Sequence, residues 1–169
     1  MTRTSAQALA IARPVIQGLT ILNLLYAASI TTLLCASFFI KGWPENPLGH
    51  FASMHPLLPL GLRVIVVLGI VGAVIVHTIL RRLLAIVDTV RDGDPFILEN
   101  ARRLNAIAWS VLAIEILRLM VGGIAAVVWE SGHVDGFSIA SWFAVLLLFV
   151  LSGVFAHGAR MRSDLEGTV

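Results

Sequence analysis

The chain has 169 residues, 58% of them hydrophobic and only 13% charged, with a mean hydropathy of +0.92. A soluble domain of this length needs far more charge on its outside, so the composition excludes one and requires that much of the surface face lipid. The formal net charge of +2 gives no basis for direct nucleic-acid binding, and the single cysteine, Cys35, excludes an intrachain disulfide.

In chain order, four apolar runs reach the roughly 20 residues that a helix needs to cross a hydrocarbon core. They cover residues 14–40, 57–80, 104–129 and 139–157. None alternates apolar and polar residues as a transmembrane strand does. Backbone polar groups in lipid must be satisfied within the segment, so each run is expected to be a helix. The stretch before Pro14 reads as a short separate helix. The first run is too long for a cleaved signal peptide, and Leu34 before Cys35 is not the small residue that lipidation requires. Between the first two runs lies a proline-rich loop whose Trp43 and Phe51 suit a membrane interface. Trp129 and Trp142 flank the shorter loop between the last two.

The basic residues set an orientation. Arg3 and Arg13 precede the first run; Arg81, Arg82, Arg91, Arg102 and Arg103 lie between the second and third; Arg160 and Arg162 follow the fourth. Lys41 and Arg63 alone fall on the other side, and Arg118 lies within a run. Cytoplasmic loops carry the excess of arginine and lysine, so both termini and the segment 81–103 are expected in the cytoplasm. The expected fold is all-α: one integral membrane domain over 1–169, a bundle of four transmembrane helices in two hairpins.

The connection between the hairpins is the most charged part of the chain. Leu80, Leu83, Leu84, Val87 and Val90 recur on one helical face, so the second helix should continue beyond the bilayer. Gly93 is its expected stop. Asp94 is the expected cap of the third helix, with Pro95 in its first turn. Glu99 stands four residues before Arg103, a favourable helical pair. Phe96, Ile97 and Leu98 are apolar at an aqueous turn and need cover. A docked partner, the bundle itself or the headgroups would each supply it.

The stretch GDPFILENARRL, with Gly93, Pro95, Phe96, Glu99, Asn100 and Leu104, resembles the central motif of domain-of-unknown-function family 2975, small bacterial four-helix membrane proteins. The ending RSDLEGTV, with Asp164, Glu166, Thr168 and Val169, resembles that family's acidic terminus. The family often has Ser or Thr after the Phe, where this chain has Ile97. Members are often found beside a small helix-turn-helix regulator. The resemblance therefore implies residence in the bacterial inner membrane, no enzymatic activity, and a cytoplasmic transcription factor as partner. Its contact would be Gly93, Asp94, Pro95, Phe96, Glu99, Asn100, Arg102, Arg103 and Leu104, together with the four terminal residues.

Glu115 and Arg118 are ionisable groups near mid-bilayer on one face of the third helix. Asn23 and Tyr26 of the first helix reach a similar depth, and the four are expected to form one polar cluster. It would act as a neutralising lock or as a proton or ligand site. His77 and His157 lie at equal depth, the arrangement of a haem ligand pair or of two hydrogen-bonded core histidines. Glu130, His133 and Asp135, with His50 and His55, have metal-ligating side chains but no known metal spacing. No cofactor or metal is expected. Neither a paired nucleophile and base nor a phosphate-binding glycine loop is present in the pattern. Gly69, Gly72 and Ala73, Gly122 and Ala126, and Ser152 and Ala156 give three helices small-residue strips for close packing, within one chain or between two copies. The leading expectation is a membrane regulatory protein that holds a helix-turn-helix factor. The alternative is a small transporter, or a binder of an apolar ligand or cofactor, centred on Glu115.

Overall fold

The computed structural model describes residues 3–40, 43, 57–93, 95–128 and 138–166, with side chains placed between Ile11 and Asp164. These residues form four α-helices: α1 (Arg3–Phe39), α2 (Leu58–Arg91), α3 (Leu98–Val128) and α4 (Ile139–Glu166). Each is long and apolar enough to cross a membrane, so the chain is an all-α, multi-pass membrane protein.

The stretch before Pro14 is not a separate helix. α1 begins at Arg3 and runs through Pro14, which removes one backbone donor without ending it. α2 extends past the apolar run to Arg91, as the periodicity predicts. Asp92 is its last capping residue and Gly93 has φ of 90°, a left-handed conformation that an L side chain rarely adopts. α4 likewise continues beyond the apolar run, to Glu166. Hydropathy marks where a helix leaves lipid, not where it ends, and Ala, Arg, Met, Leu and Glu all sustain a helix in water.

The start of α3 departs from expectation. Pro95, Phe96 and Ile97 are not helical. The Ile97 carbonyl accepts from the amides of Asn100 at 3.0 Å and Ala101 at 3.4 Å, so Ile97 occupies the N-cap. Pro95 therefore precedes the helix instead of opening it. Asp94, the expected cap, lies outside the described residues.

The helices pack serially: α1 on α2, α2 on α3, and α3 on α4. Near the turn, Ile16 of α1 meets Leu80 and Val87 of α2, with Ala12, Val76 and Leu84 around them. At the opposite end Leu58 and Val128 join α2 to α3. Gly61 makes this possible, because a Cβ there would run into the Val128 side chain. α3 is the central helix, with Ala101, Ile107 and Ala108 buried. Trp109 meets Phe149 of α4 edge-to-face at 5.2 Å. The basic segments gather at one end. Arg13 pairs with Asp88 at 3.6 Å, which sets α1 beside the end of α2. The Phe96 and Phe155 rings lie 5.3 Å apart, which brings α4 to the turn.

Candidate functional site

The turn between α2 and α3 is built around Asn100, which is 1% exposed. Its amide nitrogen donates to the Thr89 hydroxyl at 2.7 Å and to the Pro95 carbonyl at 3.1 Å. Its amide oxygen accepts from Arg103 at 2.9 Å. Arg103 also reaches the Ala85 carbonyl of α2 at 3.4 Å, and Glu99 at 3.8 Å. One buried amide thus holds the end of α2, the non-helical link and the first turn of α3. Buried polar groups with every partner met hold a unique geometry. Arg82, which the periodicity assigns to the polar face, instead donates to the Ala106 carbonyl and the Ser110 hydroxyl of α3, each at 3.1 Å.

This geometry divides the expected contact residues. Asn100, Arg103 and the half-buried Leu104 and Pro95 face inward and are occupied within the protein. Glu99 and Arg102 are exposed and pair at 3.8 Å, with 71% of the Arg102 side chain open. Gly93 is exposed, Phe96 is 47% exposed and Leu98 is 44% exposed. Asp164 is exposed near the end of α4. Asp94, Thr168 and Val169 lie outside the described residues, as does the Glu166 side chain. Of the three apolar residues that need cover, Phe96 finds part of it on α4, against Phe155 and Gly158. Thr89, Phe155 and Gly158 are components that sequence reasoning misses. Thr89 and Gly158 are small residues on long helices, with no local pattern to mark them.

The expected intramembrane cluster separates into two parts. Glu115 and Arg118 pair on α3 at 3.8 Å, with the Glu115 side chain 8% exposed and Arg118 51% exposed. The Glu115 Oε2 atom is buried and makes no hydrogen bond. Asn23 is on the other side of α2: its amide donates to the Ala73 carbonyl at 2.9 Å. The Tyr26 hydroxyl lies beside Gly69, also on α2. α1 packs mainly on α2, and Asn23 and Tyr26 make these contacts there and not with the Glu115–Arg118 pair. Asn23 is instead an interhelical hydrogen bond, of the kind that contributes about 0.5–2 kcal/mol in lipid.

Arg63, the basic residue on the opposite side, also has an internal role. It donates to the Ser37 carbonyl near the end of α1 at 2.9 Å and lies 4.6 Å from the Phe38 ring. A cation at a helix C-terminus is favourable there. His77 and His157 are on α2 and α4, which α3 separates. His77 is half-buried with Nδ1 unpartnered, and His157 is exposed. Glu130, His133, Asp135, His50 and His55 lie outside the described residues. Among the described residues no three His, Cys, Asp or Glu side chains gather as metal ligands.

A family profile described as "Protein of unknown function (DUF2975)" matches residues 14–169, which takes in α1 from Pro14 onward, the other three helices and the turn. Comparisons with curated proteins and with solved structures give no match.

Proposed function

The chain belongs to the DUF2975 family of proteins of unknown function, and from that membership and the geometry of the turn we propose a membrane regulatory protein that docks a cytoplasmic helix-turn-helix transcription factor. The supporting observation is the preorganised turn. Asn100 fixes the backbone between α2 and α3, and Arg102, Glu99 and Leu98 stand exposed on the first turn of α3. A rigid element with a charged and apolar face loses little entropy on binding. Helix-turn-helix proteins are the partner class that the resemblance supplies. In this reading Asn100 and Arg103 hold the surface, while Arg102 and the α4 end with Asp164 touch the partner. The membrane is the bacterial inner membrane, with the turn in the cytoplasm. No reaction is assigned.

The test is co-purification from intact membranes with the helix-turn-helix protein encoded in the neighbouring reading frame. Arg102→Glu, and separately deletion of 164–169, should each reduce recovery of that protein at least about tenfold, the scale of one interfacial charge pair reversed. Undiminished recovery with both variants overturns the proposal.

A second reading, a small transporter or ligand-binding protein centred on Glu115, is favoured by one specific feature. The buried Glu115 Oε2 atom faces the Arg118 guanidinium at 3.8 Å, beyond hydrogen-bond distance, and so keeps its capacity to accept a hydrogen bond within the apolar span. Its test is proton-coupled uptake into vesicles holding the purified protein. Loss of uptake in Glu115→Gln, with the helix content of the parent, supports it; equal uptake removes it.

A further inference from the structure

The turn closes one side of a groove on α4. A mainly apolar part of about 740 Å³ is lined by Val150, Gly153, Val154, His157 and Met161 of α4 and by the Phe96 ring. A polar hollow of about 330 Å³ adjoins it, sharing Phe96 and Arg162 and adding Arg160 and Ser163. The apolar part lies toward the middle of α4, and the polar part lies along its charged last turns, near Arg160 and Arg162. Two glycines shape the groove. At Gly153 nothing lies within 4 Å of where a Cβ would be, so the missing side chain is open volume. At Gly158 a Cβ would press on Phe96 at 3.3 Å, so the glycine lets that ring lie against the helix.

The chemistry of the groove identifies its occupant. The apolar part has the size of a ligand site, and it opens on a surface where Val150 and Val154 are 56% and 58% exposed, a face that lipid covers. Its polar end carries the exposed Arg160 guanidinium and that of Arg162, which also interacts elsewhere within the chain, and no acidic side chain lines either part among the described residues. A partner helix would meet a cationic end without needing the open volume at Gly153. An acyl chain uses that volume, and a phosphate complements the arginines. We propose that the groove binds one anionic glycerophospholipid from the leaflet at the basic end of the molecule, an acyl chain along Gly153 and Val154 and the phosphate at Arg160 and Arg162. The groove shares Leu98 with the proposed docking surface, but neither Glu99 nor Arg102 lines it, and lipid retention is measured without a protein partner. The proposal therefore stands apart from the docking of a transcription factor.

The experiment is native mass spectrometry of the full chain in neutral detergent, titrated with phosphatidylglycerol or with phosphatidylcholine of the same acyl composition. Phosphatidylglycerol should be retained about fivefold or more over phosphatidylcholine, as expected for two arginines at an anionic headgroup. Arg160→Gln with Arg162→Gln should abolish that preference. Gly153→Leu should reduce retention of both lipids by filling the apolar part. Gly123→Leu, the same change at an α3 glycine whose Cβ position is equally open, should not. Equal retention of the two lipids by the parent chain overturns the proposal. So does unchanged retention by Gly153→Leu of parental helix content.

Discussion

Asn100 is the residue on which the turn depends, and its role is opposite in direction to a surface contact. It is fully buried, and its side chain is hydrogen-bonded to three partners on three pieces of chain, namely Thr89, Pro95 and Arg103. Asn100→Ala would leave all three partners short. At about 1 kcal/mol for each net bond, it should cost about 3 kcal/mol. Reversible unfolding in mixed micelles checks this, and a loss below about 1 kcal/mol would show that the network contributes little. The motif that contains Asn100 is legible in the sequence; its inward direction is not, because Asn suits both an aqueous turn and a satisfied interior. Glu115 and Arg118 are legible as a pair, since their i, i+3 spacing fixes their proximity on one helix. Their separation from Asn23 and Tyr26 is not, since equal depth in a membrane says nothing about which helices touch.

At the scale of elements, the informative position is the first turn of α3. Ile97 provides the N-cap carbonyl but has no side-chain oxygen to accept from the exposed amides that follow. The resemblance to a family with Ser or Thr after the Phe now has a physical reading: that residue is the cap. Ile97→Thr should therefore stabilise the chain by about 1 kcal/mol, the usual contribution of a hydroxyl at this position, while keeping one methyl in place. A raised midpoint of thermal unfolding is the expected measurement; a lowered one would mean that the Ile97 side chain matters more for packing than for capping. The ends of α2 and α4 differ in legibility for a related reason. Gly93 marks the first by a conformation that only its residue type adopts readily, whereas α4 runs on through charged residues that hydropathy treats as an exit.

At the scale of the whole molecule, serial packing makes α2 and α3 the inner helices, and α1 and α4 each lean mainly on one neighbour. The turn, the arginine of α1 and the end of α4 converge at one end, so the positive-inside argument applies to a single surface. An engineered cysteine tests the orientation. Asp92 is exposed beside Gly93, and the native Cys35 is exposed on α1 and must first be changed to Ser. In Cys35→Ser/Asp92→Cys, a membrane-impermeant maleimide should label the protein only after the cells are permeabilised. Labelling of intact cells at the same rate would invert the topology and withdraw the cytoplasmic partner with it.

The sequence by itself determined that the chain is membrane-embedded, that it has four helical spans, that α2 continues beyond its apolar run and that it stops at Gly93. Each of these follows from hydropathy over a window, from period, or from the conformational freedom of one residue, all of which are local. Only the tertiary structure decided which helices touch, that Asn100 and Arg103 turn inward, that Gly61 is a site of close approach, and that Phe96 closes a groove on α4. In water a buried face differs from an exposed one by its polarity. In lipid both faces are apolar, so hydropathy does not distinguish the residues that meet another helix from those that meet an acyl chain, and contact is decided by shape and by a few hydrogen bonds between distant parts of the chain.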